Sequence, residues 1–86
     1  MGQQTSAPKI TPQDRAVFQL KQQRDKLHQY QVRLNLVIDR QTALAKEAVR
    51  QNNPDRAKVY LRAKKQQQLT ISKTYDQLDT LEPLLG

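Results

Sequence analysis

The sequence predicts an all-α fold, a long antiparallel two-helix hairpin preceded by a flexible N-terminal arm. Apolar residues recur at helical spacing over two long stretches of the chain. Neither proline nor glycine interrupts the first stretch between Pro12 and Gln51. Only a short cluster of turn-forming residues, QNNPD at 51–55, separates the two stretches. Because so short a connection brings consecutive helices side by side, we expect the second helix to fold back along the first.

The arm comprises residues 1–10 (MGQQTSAPKI), which show no apolar periodicity. Its first six residues fit the N-myristoylation pattern M-G-x-x-x-[ST], with Ser6 at the hydroxyl position. Removal of Met1 exposes the amine of Gly2, so the pattern predicts Gly2 as a lipidation site. One myristoyl chain holds a protein on a bilayer only marginally, and we therefore expect a second, basic membrane-binding signal.

The first helix is predicted to run from about residue 12 to residue 51. Thr11 can cap its N-terminus, Pro12 suits the first helical position, and Asp14 stands where the acid of a capping box stands. A helix of this length extends roughly 57 Å at 1.5 Å per residue.

Residues 52–54 are predicted to form the turn. Asn53 can cap a second helix, with Pro54 at its first position and Asp55 in its first turn. We expect this helix to run from about residue 54 to residue 82 and to end at Pro83 and Gly86, so that the hairpin occupies residues 11–86.

A helical wheel places the apolar residues of each helix on one broad side, which predicts the contact between them. The residues on that side are Ala16, Leu20, Leu27, Tyr30, Leu34, Val37, Ile38, Leu44, Ala45 and Ala48 of the first helix, and Ala57, Tyr60, Leu61, Ile71, Tyr75, Leu78 and Leu81 of the second. Four polar residues, Gln23, Gln41, Lys64 and Gln68, fall in or beside the contact. We expect either a loose contact or further helices that cover it.

Composition excludes several kinds of chemistry. With 86 residues, 36% of them hydrophobic, the chain is one small domain without a thick core. It has no cysteine, which rules out disulfides, thiolate zinc sites and thiol catalysis. The single histidine, His28, has no adjacent nucleophile, and two glycines do not make a phosphate-binding loop. We therefore predict no enzymatic activity, no cofactor and no metal site, and no apolar run is long enough to span a membrane.

A second row of residues on the first helix lies away from the predicted contact and indicates a docking strip for a partner. Its members are Asp14, Phe18, Lys21, Asp25, His28, Val32 and Leu36, spaced by three or four residues. Phe18 is the only phenylalanine in the chain, and here it is interleaved with charges. The alternative is that these are ordinary scattered surface apolar residues.

Basic residues follow two helix faces and predict binding to an anionic partner. Lys plus Arg number 15 against 8 acids, for a net charge of +7. The predicted membrane-binding residues are Arg15, Lys26, Arg33 and Arg40 of the first helix and Lys58, Arg62 and Lys65 of the second. A phospholipid surface, a nucleic acid or an acidic protein segment would each satisfy this charge, and an ordinary solvated helix face is the simplest alternative.

Residues 11–31, TPQDRAVFQLKQQRDKLHQYQ, closely resemble the start of helix 1 in the vacuolar protein sorting 20 branch of the ESCRT-III family. The preceding Met1-Gly2 resembles the myristoylated start of that branch. The resemblance is specific over the first 31 residues and generic to ESCRT-III beyond the turn. It implies a helix 1–helix 2 hairpin onto which shorter acidic helices pack, so that this chain is the basic N-terminal half of a longer protein.

The resemblance also implies a function, an assembly adaptor on the endosomal membrane that links ESCRT-II to nucleation of the ESCRT-III polymer in multivesicular body cargo sorting. The implied partners are a winged-helix subunit of ESCRT-II, a polymerising ESCRT-III subunit and the anionic endosomal membrane, with no nucleic acid. The implied location is the cytoplasm, peripheral on that membrane. The ESCRT-II contact corresponds to about residues 14–31, and the predicted contact residues are Asp14, Val17, Phe18, Lys21, Arg24, Asp25 and His28.

Two other functions remain compatible with the residues alone. A plain coiled-coil module for structural assembly would use its basic faces only for solubility. A basic helical nucleic-acid binder would use them for phosphate contacts, although the chain has neither a zinc finger nor an aromatic stacking platform.

Overall fold

The computed structural model describes residues 9–86 and consists of two long helices folded against each other. Helix α1 spans Pro12–Arg50 and helix α2 spans Pro54–Leu85. At 1.5 Å per residue, the 39 residues of α1 and the 32 residues of α2 extend about 58 Å and about 48 Å. The predicted all-α, two-helix hairpin is confirmed.

The N-terminus of α1 is closed by a capping box. The Thr11 hydroxyl accepts a hydrogen bond from the Asp14 backbone N–H at 3.0 Å, and the Asp14 carboxylate accepts one from the Thr11 N–H at 3.3 Å. Pro12 occupies the first turn, where a missing N–H costs nothing because that group would have no partner in the helix. The sequence TPQD therefore forms the helix start that it predicts.

The turn between the helices is a Schellman motif centred on Asn52. Asn52 has a φ of 60°, its N–H donates to the Val49 carbonyl at 2.9 Å, and the Asn53 N–H donates to the Ala48 carbonyl at 2.8 Å. Both bonds supply donors to carbonyls at the end of α1 that would otherwise lack a hydrogen-bond partner. The Asn53 side chain then caps α2 by accepting from the Arg56 N–H at 3.2 Å. Three consecutive polar residues thus end one helix and start the next.

Helix α2 continues through Pro83 to Leu85, three residues beyond the end expected from the sequence. Proline removes one helical hydrogen bond and usually ends a helix. Here Leu85 follows Leu81 on the side that faces α1 and is half-buried. The apolar contact between the helices therefore extends past the proline, and this packing keeps the last turn helical.

The contact between the helices, which we call the seam, follows steps of three and four residues along both helices. The seam residues are Val17, Leu20, Arg24, Leu27, Gln31, Leu34, Ile38, Gln41, Ala45 and Ala48 of α1, and Ala57, Tyr60, Lys64, Gln67, Ile71, Thr74, Leu78, Leu81 and Leu85 of α2, all buried or half-buried. A repeat of 3.5 residues is that of a coiled coil. The hairpin is therefore an antiparallel two-stranded coiled coil.

A buried hydrogen bond defines the register of this coiled coil. The Gln31 side-chain amide donates to the Thr74 hydroxyl at 2.9 Å, and both residues are almost fully enclosed, with 7% and 3% of their surface exposed. Equal steps in opposite directions from this bond give the facing seam residues. They are Leu20 and Leu85, Leu27 and Leu78, Leu34 and Ile71, Gln41 and Lys64, Ala45 and Tyr60, and Ala48 and Ala57.

Several residues expected in the contact lie outside it. Ala16, Tyr30, Val37, Leu61 and Tyr75 are exposed. Of the four polar residues expected in or beside the contact, Gln41 and Lys64 occupy seam positions, and Gln23 and Gln68 lie beside the seam. The helical wheel assigned a broad band of apolar residues to the contact. A single partner helix covers only two positions of each heptad, so the outer residues of that band stay exposed. The narrower seam also buries Gln31 and Thr74, which the apolar pattern had passed over.

We expect removal of the Thr74 hydroxyl to destabilise the hairpin. The substitution Thr74→Val keeps the side-chain shape but leaves the buried Gln31 amide without its acceptor, at a cost of about 1–3 kcal/mol in the free energy of unfolding. Urea unfolding followed by circular dichroism measures this loss. Thr74→Ser keeps the hydroxyl and is the matched control.

The double variant Gln31→Leu/Thr74→Val removes both polar groups and should restore most of the lost stability, because no group is left without a partner. A single Thr74→Val variant as stable as the parent would show that this hydrogen bond does not constrain the seam.

The turn offers a second test. A left-handed conformation costs most residues about 1–2 kcal/mol, asparagine less, and glycine almost nothing. Asn52→Gly should therefore raise the free energy of unfolding by a few tenths of a kcal/mol or leave it unchanged, and Asn52→Ala should lower it by about 1 kcal/mol. Equal stability of the two variants would contradict the Schellman turn.

Candidate interaction surfaces

The seam divides the rest of the hairpin into two opposite flanks, which we call front and back. In an antiparallel coiled coil the positions beside the seam of one helix adjoin the equivalent positions of the other. The front flank carries Asp14, Phe18, Lys21, Asp25, His28, Val32, Asp39, Thr42, Lys46 and Val49 of α1 and Lys58, Leu61, Lys65, Tyr75, Asp79 and Glu82 of α2. The back flank carries Lys26, Tyr30, Arg33, Val37, Arg40, Leu44 and Glu47 of α1 and Arg56, Val59, Ala63, Thr70, Lys73 and Leu84 of α2.

Shallow grooves between the helices agree with this division. On the front flank, Thr42, Lys46 and Val49 of α1 line one groove together with Leu61 of α2. On the back flank, a different groove lies among Leu44, Glu47, Arg56 and Tyr60. Each groove joins residues of the two helices from one flank, apart from seam residues at its floor.

Most of the predicted docking strip lies on the front flank and is exposed. Phe18 and Val32 have 60% and 61% of their surface exposed, and Leu36, at the outer edge of α1, has 65%. The charged members Asp14, Lys21, Asp25 and His28 lie between or beside them and are also exposed. The strip is therefore left free by the helix–helix contact.

Two of the predicted ESCRT-II contact residues occupy seam positions instead. Val17 and Arg24 are half-buried, because both occupy a heptad position on the seam side of α1. Arg24 extends from the seam to the front flank, where its guanidinium binds the Asp25 carboxylate at 3.1 Å. It lines a concavity there with His28 and Glu82. Arg24 thus borders the docking strip, whereas Val17 is half-buried on the seam side of α1, one turn before Leu20.

The predicted membrane-binding residues do not form one surface. Lys26, Arg33 and Arg40 lie on the back flank, and Lys58 and Lys65 lie on the front flank. The remaining two, Arg15 and Arg62, lie at the outer edges of α1 and α2. The sequence predicts a basic face on each helix separately, and only the register of the seam shows that the two faces point in different directions.

The back flank concentrates positive charge. Its cations are Lys26, Arg33, Arg40, Arg56 and Lys73, and its acid is Glu47. Glu47 is itself engaged by Arg50 at 3.3 Å. On the front flank the cations Lys21, Lys46, Lys58 and Lys65 are offset by Asp14, Asp25, Asp39, Asp79 and Glu82. Arg56, which was not among the predicted membrane-binding residues, belongs to the back flank because α2 places it beside the seam.

Aromatic rings accompany two of the back-flank cations. The Arg33 guanidinium lies 5.9 Å from the centre of the Tyr30 ring, a cation–π distance. Arg56 lies 6.0 Å from the Tyr60 ring and donates a hydrogen bond to its hydroxyl at 3.2 Å. That hydrogen bond raises the pKa of the Arg56 guanidinium above its ordinary value.

The described residues show no metal-ligand cluster of three or more His, Cys, Asp or Glu side chains. No helix within residues 9–86 is long and apolar enough to cross a membrane. Gly2, the predicted lipidation site, lies outside the described residues.

Comparison with known proteins agrees with the architecture. The Snf7 family model matches residues 15–85. The chain is 44% identical over 79 residues to charged multivesicular body protein 6 of Danio rerio, which covers 92% of this chain and 38% of the relative. It is 42% identical over 77 residues to the human protein of the same name, covering 90% and 38%.

A plant relative extends the similarity. Vacuolar protein sorting-associated protein 20 homolog 1 of Arabidopsis thaliana is 44% identical over 61 residues, covering 71% of this chain and 28% of the relative. The chain thus spans less than two fifths of the length of these curated relatives. No solved structure matches it significantly. The family match over both helices confirms the resemblance seen at residues 11–31, and the chain belongs to the Snf7 family of ESCRT-III subunits.

Proposed function

We propose that this hairpin is the basic part of an ESCRT-III assembly adaptor in multivesicular body cargo sorting. In this role the protein is peripheral on the cytoplasmic side of the endosomal membrane and links ESCRT-II to nucleation of the ESCRT-III polymer. It acts by binding and has no enzymatic activity. Its partners are a winged-helix subunit of ESCRT-II, a polymerising ESCRT-III subunit and anionic endosomal lipid.

The exposed docking strip is the observation that carries the proposal. Phe18 and Val32 lie on the front flank outside the seam, and the seam leaves more than half of each side chain in solvent. Surface apolar residues framed by charges are typical of recognition sites, in which a buried aromatic anchor supplies much of the binding energy. The names of the relatives place them in multivesicular body and vacuolar sorting.

The charged neighbours of Phe18 suit a specific rather than a purely apolar contact. Asp14 and Lys21 lie one helical turn to either side of Phe18 on the same flank. Asp25 is held by Arg24 at 3.1 Å, so its carboxylate is presented in a restrained position. Rim charges of this kind set orientation and exclude wrong partners more than they add affinity.

The substitution Phe18→Asp should weaken binding to the ESCRT-II winged-helix subunit by about thirtyfold or more, which corresponds to loss of a 2 kcal/mol anchor. Helicity should not change, because Phe18 does not contribute to the seam. Isothermal titration calorimetry measures the affinity and circular dichroism measures the helicity.

Leu69→Asp is the matched control, because Leu69 is an exposed apolar residue of α2 with 53% of its surface in solvent and lies away from the strip. This variant should bind like the parent. Unchanged affinity of the Phe18 variant, or an equal loss in the Leu69 variant, would contradict the docking strip.

Gly2→Ala should prevent acylation and release the protein from endosomal membranes. The acyltransferase requires an N-terminal glycine amine, and a single acyl chain supplies the apolar half of a two-signal anchor. Incorporation of labelled myristate measures the acylation, and membrane fractionation measures the release. Normal fractionation of a variant that takes up no label would show that the anchor lies elsewhere.

A further inference from the structure

We propose that the back flank alone is the lipid-contacting surface of the hairpin, so that the docking strip on the front flank stays exposed to a protein partner while the hairpin lies on a membrane. This inference rests on the proposed membrane role and adds an orientation to it. It also changes the predicted set of membrane-binding residues. It leaves out Lys58 and Lys65 of the front flank and Arg15 and Arg62 of the outer edges, and it adds Arg56 and Lys73.

The middle of the hairpin is where the two flanks differ most in charge. There the back flank carries Lys26, Arg33 and Arg40 on α1, and Lys73 on α2 lies level with Arg33 in the register of the seam. No acid accompanies them on this flank between residues 26 and 40 or on the facing part of α2, where Asp76 points to the outer edge.

The front flank over the same length carries the opposite sign. Asp25 and Asp39 on α1 and Asp79 on α2 outnumber the two cations there, which are Lys65 and the Arg24 guanidinium bound to Asp25. An anionic bilayer therefore attracts one side of the hairpin and repels the other.

Distance prevents the two flanks from acting together. A helix with its side chains is about 10–12 Å across, and the screening length at physiological ionic strength is about 8 Å. Cations on the flank that faces away from a membrane are therefore largely screened from it. One flank has to supply the contact, and the back flank has the larger excess of cations.

The residues between these cations suit the headgroup region of a bilayer. Tyr30 and Val37 each have 38% of their surface exposed and lie on the back flank between Lys26, Arg33 and Arg40. Tyrosine is enriched where a protein meets the headgroups, because its ring is apolar and its hydroxyl is polar. The Arg33 guanidinium over the Tyr30 ring adds a cation to the same point.

Matched charge removal tests the orientation. The back variant is Lys26→Gln/Arg33→Gln/Arg40→Gln/Lys73→Gln, and the front variant is Lys21→Gln/Lys46→Gln/Lys58→Gln/Lys65→Gln. Each removes four positive charges from a formal net charge of +7, and glutamine keeps the helix propensity. Co-sedimentation of the non-acylated protein with phosphatidylcholine vesicles, with and without phosphatidylserine, measures the affinity.

We expect the back variant to lose at least about a hundredfold in affinity for the phosphatidylserine vesicles, since each well-placed cation contributes about fivefold. The front variant should lose less than about tenfold. Equal losses would overturn the orientation and leave the membrane role intact, and a parent protein that binds neither vesicle would overturn the membrane role itself.

A fluorescent probe reports the orientation directly. The chain has no cysteine, so Val37→Cys on the back flank and Val32→Cys on the front flank each give a single labelling site. An environment-sensitive dye at residue 37 should shift to shorter wavelength on phosphatidylserine vesicles, and the same dye at residue 32 should not. A shift at residue 32 alone, or equal shifts at both, would overturn the proposal.

Nucleic acid is the competing occupant of a basic surface. If the parent protein binds duplex RNA or DNA in low salt but not the vesicles, and the back variant loses that binding, the back flank is a phosphate-backbone site and the lipid assignment is wrong.

Discussion

The buried hydrogen bond between Gln31 and Thr74 is the constraint on which the other surfaces of this hairpin depend. A coiled-coil seam built from leucine, isoleucine and alanine tolerates a shift of one heptad, because apolar layers are alike. A polar pair is specific, since any other register leaves the Gln31 amide and the Thr74 hydroxyl buried without each other. The Thr74 hydroxyl also donates to the Ile71 carbonyl at 2.6 Å, so both of its hydrogen-bonding roles are filled.

Other polar seam residues make the contact less stable than an apolar one. Gln41 faces Lys64, and the Gln41 side-chain oxygen is buried without a hydrogen-bond partner. A buried acceptor of this kind costs about 1–3 kcal/mol. Near the turn the seam narrows to Ala45, Ala48 and Ala57, small residues that bury little surface and let the helices approach closely. The Schellman turn holds the helices side by side at this end, where the seam itself buries little surface.

The sequence predicted local structure well and the faces of the helices less well. Thr11, Asp14 and Asn53 form hydrogen bonds with residues three positions away. A segment of four residues therefore contains all the information needed to predict these caps. The predicted end of α2, at about residue 82, fell three residues short of Leu85. Burial of Leu85 depends on its packing against Leu20, which lies 65 residues earlier in the chain and gives no local signal. Arg24, Gln31 and Thr74 were missed in the seam because polar residues carry no apolar signal, although the steps of three and four that connect them were present in the sequence.

The register of the seam also explains why positive charge collects on one flank of the hairpin. Asp25 and Lys26 are neighbours in sequence, as are Asp39 and Arg40, and within each pair the charges cancel in any count of composition. Successive residues of a helix point about 100° apart, so when Gln31 and Thr74 fix the seam, each acid turns to the front flank and each base to the back flank. A rotation of α1 by one residue would bring the acids toward the back flank and bury the bases. The same hydrogen bond that selects the helix pairing therefore also separates the charges that would orient the hairpin on a membrane.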